Sequence, residues 1–140
     1  MSRLSIEHLE SQFVTEDGLV KAVDDVSLQI ARNETLGLVG ESGCGKTVLA
    51  LSILRLLSEN TTTQGKIEYK DRDLLKLDED DLRSIRGKEI ALIFQNPLSS
   101  LYPVLTVGFQ ISEPFMLHQG MKKALAWSKA VDMLRRVRIP

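Results

Sequence analysis

The chain of 140 residues lacks several features that would assign it to a class at once. It has one cysteine, Cys44, so no internal disulfide can form, which fits a reducing compartment. No apolar run approaches the length that crosses a bilayer, and the N-terminus lacks the apolar stretch of a signal peptide. Any membrane association is therefore expected to come through a partner protein.

The chain also lacks an excess of positive or negative charge, since its formal net charge at pH 7 is −1. This balance gives no electrostatic reason to expect nucleic acid as a partner. Apolar residues make up 43% and charged residues 26%, which is typical of a globular protein and not of a disordered chain. The length suits one domain, and no repeat or linker interrupts it.

The N-terminal residues predict an antiparallel hairpin. Apolar residues alternate over 4–13 and again over 20–30, and turn residues at 16–18 separate the two strands. Two short, almost wholly apolar runs follow at 35–39 and 89–95. Because both faces of these runs are apolar, they are typical of strands covered on both sides.

Helical spacing accounts for much of the remainder. A capping pair at Asp78 and Asp81 predicts a short helix that stops at Gly87, and longer helices are predicted over 106–118 and 122–137. A further strand is expected at Gly65 to Lys70. A further helix is predicted after residues 40–47, which are rich in glycine. Apolar residues lie nearly all round this helix, so it is predicted to be buried: Val48, Leu49, Leu51, Ile53, Leu54 and Leu57.

A glycine-rich loop lies between the run at 35–39 and this helix. Tight turns and close approach of the backbone to an anion favour glycine, and backbone N–H groups at a helix start form an anion site. The lysine would reach the β- and γ-phosphates, and the threonine hydroxyl would bind Mg²⁺. A plain strand–helix turn is the alternative, but the flanking buried strand and helix favour nucleotide binding. The predicted loop is Gly40, Glu41, Ser42, Gly43, Cys44, Gly45, Lys46 and Thr47.

Cys44 has two interpretations within this loop. It could act as a redox switch, or it could be a small filler whose side chain points away from the phosphates. The absence of a second cysteine favours the filler.

The residues after the second apolar run distinguish among the classes of P-loop protein. The run 93–108 (IFQNPLSSLYPVLTVG) resembles the Q-loop region of ABC transporter ATP-binding subunits, in particular the group that imports dipeptides, oligopeptides and nickel. The runs 21–28, 34–43 and 85–90 match the same group. The resemblance therefore covers nearly the whole chain.

Three positions depart from the pattern of that group. Asn96 replaces the usual aspartate, Tyr102 replaces asparagine, and Arg138 replaces the glycine of a valine-glycine-isoleucine-proline run. The family assignment stands despite them, because the other motifs agree.

The resemblance implies an α/β fold: a P-loop NTPase core of the ABC nucleotide-binding type with an N-terminal antiparallel β part. Residues 1–95 would form the ATP-binding core with the P-loop and the Q-loop strand. Residues 96–140 would begin the helical subdomain, and the sheet would be incomplete within this chain. The segment 96–118 would touch the membrane-spanning subunits, or its apolar residues would simply pack.

The resemblance also assigns ligands and partners. ATP and Mg²⁺ would bind, Gln95 would contact the metal and its water and sense the γ-phosphate, and Phe13 would stack on adenine. Phe13 could equally be a core residue of the first strand. The implied partners are membrane-spanning permease subunits, a second ATP-binding subunit in a head-to-tail dimer and, indirectly, a solute-binding protein, with no nucleic acid. The implied location is peripheral, on the cytoplasmic side of the cell membrane.

Several motifs of this family are not found in the sequence: the signature motif, the acidic Walker B strand, the catalytic glutamate and the switch histidine. The chain is therefore expected to be an N-terminal portion of an importer ATPase. The alternative is a truncated nucleotide-binding fragment without ATPase or transport activity. A third hypothesis is a soluble P-loop enzyme such as a kinase. The Q-loop-like run at 93–108, which contains Gln95, argues against it. Dipeptide, oligopeptide and nickel remain open as solutes.

Overall fold

The computed structural model describes residues 2–96 and 100–139. The chain divides into two compact units, Met1–Arg83 and Ser84–Pro140. The division predicted after residue 95, between an ATP-binding core and the start of a helical subdomain, rests on the family resemblance and stays a prediction.

The first unit is built on a four-stranded antiparallel sheet in the order β2-β1-β3-β4. The predicted hairpin is confirmed, because β1 and β2 pair over their whole length, from Thr15 opposite Gly18 to Ser2 opposite Ala31. The strand expected at 65–70 is longer than predicted and pairs with β1 on its other side. The strands are β1 (Ser2–Thr15), β2 (Gly18–Ala31), β3 (Thr61–Tyr69) and β4 (Arg72–Asp73).

A bulge in β1 shapes the middle of this sheet. Both registers of β1 shift around His8, whose φ is 48°, and its Nδ1 lies 2.6 Å from Oδ1 of Asp25, a second left-handed residue at φ 51°. Gly65 on β3 faces the bulge at φ 106°, where a Cβ would lie 2.4 Å from the His8 carbonyl oxygen. Only glycine fits at that position, so a single residue sets where β3 meets the bulge.

Two helices belong wholly or mainly to the first unit: α1 (Lys46–Ile53) and α2 (Glu79–Ile85). The predicted cap of α2 is confirmed, because Oδ1 of Asp78 accepts a hydrogen bond from the Asp81 amide at 2.8 Å. The apolar core of this unit consists of buried side chains from the sheet and the helices: Ile6, Leu9, Val23, Leu49, Leu54, Ile67, Tyr69, Leu74 and Leu82.

Helix α1 is joined to the sheet by a buried hydroxyl pair. The Oγ atoms of Ser11 on β1 and Ser52 on α1 lie 2.8 Å apart, and both side chains are buried. Ser52 also donates to the Val48 carbonyl at 2.7 Å, so Ser11 is left to donate to Ser52. The predicted all-round burial of α1 is wrong, since only Leu49 and Ser52 of the helix are buried. Most of its other residues are half-buried, so the described residues cover the helix only in part.

The second unit contains the two predicted long helices, α3 (Val107–Gln119) and α4 (Lys123–Arg136). Oγ1 of Thr106 caps α3, and Gly120 ends it in a left-handed conformation at φ 62°. In α4 the buried residues are Ala126 and Ala130, while the larger Trp127 is 45% exposed. Small side chains therefore form the buried face of α4.

The two predicted buried strands do not form as strands within the described residues. The run at 35–39 has no regular secondary structure, and Val39 is 96% exposed. The run at 89–95 makes only an isolated bridge between Ile90 and Arg86, and Ile93 is 92% exposed. A strand requires neighbours for its hydrogen bonds and layers over its faces. The described residues supply neither, so the apolar pattern alone does not produce these strands.

Candidate functional site: the phosphate-binding loop

The predicted loop lies directly before α1 in the first unit. Gly43 and Gly45 adopt left-handed conformations with φ of 82° and 91°, and the helix begins at Lys46. The first turn of α1 carries no acidic residue and no side-chain cap. The N-terminal N–H groups of α1 therefore remain oriented for an external anion, which the helix dipole favours.

Close contacts surround two glycines of the loop, but only the contact at Gly45 is with backbone. A Cβ at Gly45 would lie 2.1 Å from the carbonyl oxygen of Ala22 on β2, so the loop rests directly on the sheet backbone. A Cβ at Gly40 would lie 2.6 Å from the sulfur of Cys44 across the loop. The sequence pattern predicted glycine for approach to an anion. The structure adds a second reason, approach to the protein itself.

The ammonium group of Lys46 folds back over the loop. Its Nζ donates to the carbonyl oxygens of Gly40 at 2.8 Å and Glu41 at 2.6 Å. These two carbonyl oxygens hold the ammonium group beside the loop. Phosphate oxygens could replace the carbonyl oxygens as its acceptors. This position suits the role that the sequence predicts for Lys46.

The thiol of Cys44 lies close to the ammonium group of Lys46. Its Sγ lies 3.3 Å from Lys46 Nζ, in the space that Gly40 leaves open. The side chain is exposed, and its interpretation as a small filler stays a prediction.

The remaining loop residues are solvent-exposed. Glu41 and Ser42 lie in the turn before α1, and Thr47 lies in its first turn with an exposed side chain. A hydroxyl there is accessible to a metal ion that also binds phosphate. The assignment of Thr47 to Mg²⁺ stays a prediction.

A cavity of about 350 Å³ adjoins the loop. Its walls come from β2, from the run at 35–39, from the loop itself and from α1. The side chain of Lys21 pairs there with Asp24 at 2.9 Å. The hydrogen bond to Asp24, with the nearby charges of Asp24 and Glu10, raises the pKa of Lys21 above its usual 10.5. The lining residues are Lys21, Ala22, Val23, Asp24, Val26, Leu38, Val39, Cys44, Gly45, Lys46 and Leu49.

The two predicted site residues outside the loop are placed differently. Phe13 is half-buried on β1, opposite Val20 on β2 and Thr61 on β3, and it does not line the cavity. Gln95 belongs to the second unit, where it is exposed at a bend after the irregular residues 91–94. Residues 97–99 of the predicted Q-loop region lie outside the described residues. The roles of Phe13 and Gln95 therefore stay predictions.

The family model of the ABC transporter matches residues 23–139, which is most of the chain. The chain belongs to the ABC transporter family. Within residues 2–96 and 100–139, no helix is both long enough and apolar enough to cross a membrane.

Curated relatives in this family are peptide transport proteins by name. The chain is 49% identical over 138 residues to a provisionally named peptide import ATP-binding protein of Brucella abortus (strain 2308). It is 42% identical to the oligopeptide transport ATP-binding protein OppD of Salmonella typhimurium and to the dipeptide transport ATP-binding protein DppD of Bacillus subtilis. Each match covers 98% of this chain, which spans only 41–42% of the length of these relatives.

Solved structures confirm the predicted fold class. The ATP-binding cassette MJ0796, in a dimeric post-hydrolysis state bound to ADP and Pi, superposes with a TM-score of 0.76 at 22% identity. A second dimeric structure of MJ0796 gives 0.78 at 23% identity. Each match covers 94% of this chain and 56% of the other. The mixed α/β fold with an open antiparallel sheet is thus that of an ABC cassette.

Sequence reasoning missed two features that support the loop. The hydroxyl pair of Ser11 and Ser52 anchors α1, and the Lys21–Asp24 ion pair lines one wall of the cavity beside the loop. A serine within an otherwise apolar buried surface is a weak signal that could have indicated the first. No local pattern indicated the second, because Lys21 and Asp24 meet the loop only through the fold.

Proposed function

We propose that this chain binds the phosphates of ATP together with Mg²⁺ through Gly40–Thr47. The observation that carries the proposal is the placement of Lys46, whose ammonium is held by two loop carbonyls at the N-terminus of α1. Positive charge, unpaired helix N–H groups and left-handed glycines converge there, and this combination suits a polyphosphate.

Each residue has a distinct role in this proposal. Lys46 transfers its hydrogen bonds from the loop carbonyls to the β- and γ-phosphates, and Thr47 provides a hydroxyl to the metal. Magnesium, when bound, neutralises charge on the phosphate oxygens. Gln95 contacts the metal and its water and senses the γ-phosphate, because its amide donates and accepts without adding charge. Phe13 is the candidate for stacking on adenine.

We further propose that the chain acts as part of the ATP-binding subunit of a peptide-type ABC importer. The names of the relatives support this role, and the chain spans 42% of the first of them. In that setting, ATP binding and hydrolysis drive uptake through permease subunits, with a second ATP-binding subunit as the dimer partner. A solute-binding protein takes part indirectly, and the subunit lies on the cytoplasmic face of the membrane.

One observation favours a second candidate, a nucleotide-binding fragment without turnover. The apolar runs at 35–39 and 89–95 form no strand and are largely exposed in the described residues, so the sheet beside the phosphate loop is incomplete. Such a fragment could bind phosphates through the loop and still lack a pre-organised site for hydrolysis. Measuring ATP turnover with and without the permease subunits separates the two candidates.

The binding proposal is tested with Lys46→Ala and a fluorescent ATP analogue. Because a charge-assisted hydrogen bond contributes roughly 1.5–3 kcal/mol, the dissociation constant should rise roughly 10- to 150-fold. Lys123→Ala, an exposed lysine at the start of α4, serves as the matched control and should leave affinity unchanged. Equal affinity of the Lys46→Ala variant and the parent would contradict the proposal, as would absence of binding by the parent.

A further inference from the structure

The cavity beside the phosphate loop combines apolar walls with one ion pair. Apolar side chains from β2, from the run at 35–39 and from α1 form most of its lining, among them Val23, Leu38 and Leu49. The ion pair of Lys21 and Asp24 lies on the β2 side of the same cavity. Pockets for small organic molecules are typically built in this way, because apolar walls accept the body of the ligand and a few polar groups fix its orientation.

The phosphate loop restricts which part of a ligand can occupy this cavity. Lys46 also lines it, and its ammonium group lies on the carbonyl oxygens of Gly40 and Glu41. Phosphates bound at this ammonium group would therefore leave the rest of the ligand next to the apolar walls. A further phosphate is polar on all sides and suits such walls poorly. A nucleoside suits them, because it presents ring carbon atoms together with a few hydroxyl groups.

The Lys21–Asp24 pair has the capacity to bind one of those hydroxyl groups. Nζ of Lys21 donates to Oδ1 of Asp24 at 2.9 Å. The same Nζ lies 3.7 Å from Oε2 of Glu10 on β1, which accepts a hydrogen bond from Gln12 at 3.0 Å. A carboxylate offers about four lone-pair sites, so one hydrogen bond from Lys21 leaves Asp24 able to accept another. Lys21, held between two carboxylates, fixes the position of the Asp24 side chain.

The backbone of β2 fixes this pair relative to the phosphate loop. Ala22 lies between the two charged residues in the chain, and a Cβ at Gly45 would lie 2.1 Å from its carbonyl oxygen. The segment 21–24 therefore carries the ion pair and supports the loop at the same time. A ligand that binds the loop meets Lys21 and Asp24 in a defined position.

We propose that Asp24, positioned by Lys21, recognises the sugar of a bound ribonucleotide by accepting a hydrogen bond from a ribose hydroxyl group. The inference rests on the proposed function, because the phosphates must be bound at the loop for the sugar to reach the cavity. A hydrogen bond to an ionised acceptor is about twice as strong as one between neutral groups. A site that binds a substrate hydroxyl in this way discriminates against the analogue that lacks it.

Sugar recognition is tested on the full chain with ATP, 2′,3′-dideoxy-ATP and inorganic tripolyphosphate. The side chain of Asp24 is 62% exposed, so water competes for it and the effect is smaller than in a buried site. We expect the parent to bind ATP about 5- to 10-fold more tightly than dideoxy-ATP. Asp24→Ala should weaken ATP to the level of dideoxy-ATP and should not weaken tripolyphosphate, which has no sugar. Equal affinity of the parent for ATP and dideoxy-ATP would overturn the proposal, as would an equal loss for both in Asp24→Ala.

The positioning role of Lys21 is tested with the same ligands. Lys21→Met should reduce the preference for ATP over dideoxy-ATP and leave tripolyphosphate unchanged, whereas Lys21→Arg, which keeps the charge, should retain most of the preference. Equal weakening of ATP and tripolyphosphate by Lys21→Met would show that Lys21 binds phosphate, and would overturn its role at the sugar. Asp17→Asn, exposed in the hairpin turn, is the matched control for loss of a carboxylate and should change nothing. Failure of the proposed function would instead appear as absence of binding of both ATP and tripolyphosphate by the parent.

Discussion

Gly45→Ala tests how the phosphate loop is seated on the sheet. The residue has φ of 91°, and a Cβ there would lie 2.1 Å from the Ala22 carbonyl oxygen. The left-handed conformation costs a residue with a Cβ roughly 1–2 kcal/mol, and forcing extra atoms into a packed contact costs roughly 1–3 kcal/mol more. We therefore expect the free energy of unfolding to fall by about 2–5 kcal/mol, a large share of the stability of a typical domain.

Two other glycines of the same stretch separate the contributions. Gly43 is also left-handed, at φ 82°, but a Cβ there meets nothing within 4 Å. Its replacement by alanine should cost only the conformational part, about 1–2 kcal/mol. Gly37 has open space and no positive φ, so Gly37→Ala should be neutral or stabilise by about 0.4–1 kcal/mol.

Urea unfolding of the parent and the three variants measures these differences directly. The expected order of destabilisation is Gly45→Ala, then Gly43→Ala, then Gly37→Ala. If Gly45→Ala were no less stable than Gly43→Ala, the contact with the β2 backbone would not be rigid. The argument that the sheet supports the phosphate loop at this point would then be wrong.

Three further predictions concern the sheet, the cavity and the second unit. Ser11→Ala and Ser52→Ala should each destabilise the chain, and their double-mutant cycle in urea should show a coupling of about 0.5–1.5 kcal/mol; strict additivity would refute the buried hydroxyl bond. Because the pKa of Lys21 is raised above 10.5, its contribution to stability should be present below that pH and be lost as pH rises through the raised pKa. The stability difference between parent and Lys21→Met should therefore shrink above pH 10.5 in alkaline titrations, and a constant difference would contradict it. Gly108→Ala should displace the ring of Trp127, since its Cβ would lie 2.7 Å from that ring, and should change the emission of this single tryptophan.

Much of the fold could be predicted because the signals were local. Alternation over the first strands predicted the hairpin, Asp78 predicted the start of α2, and helical spacing predicted α3 and α4 within a residue or two. The phosphate loop was equally local, since its glycines, Lys46 and Thr47 are contiguous. The family assignment, confirmed by the match over residues 23–139, also followed from contiguous motifs.

The errors arose where a local pattern depends on distant partners. The apolar runs at 35–39 and 89–95 predicted buried strands, but burial needs neighbouring strands and covering helices that the described residues do not supply. The all-round burial of α1 failed for the same reason. An apolar segment is stable as a buried strand or helix only when other strands and helices pack over it. Its own composition does not supply those elements.

The sequence by itself determined the family, the phosphate loop, the N-terminal hairpin and the two long helices, because each depends on residues that are neighbours in the chain. Only the tertiary structure decided how that loop is supported. Gly45 rests on the Ala22 backbone, and the hydroxyl of Ser52 meets that of Ser11 across 41 positions of sequence. Such contacts depend on which strands pair and in which register, and that information is spread over the whole sheet rather than carried by any one segment.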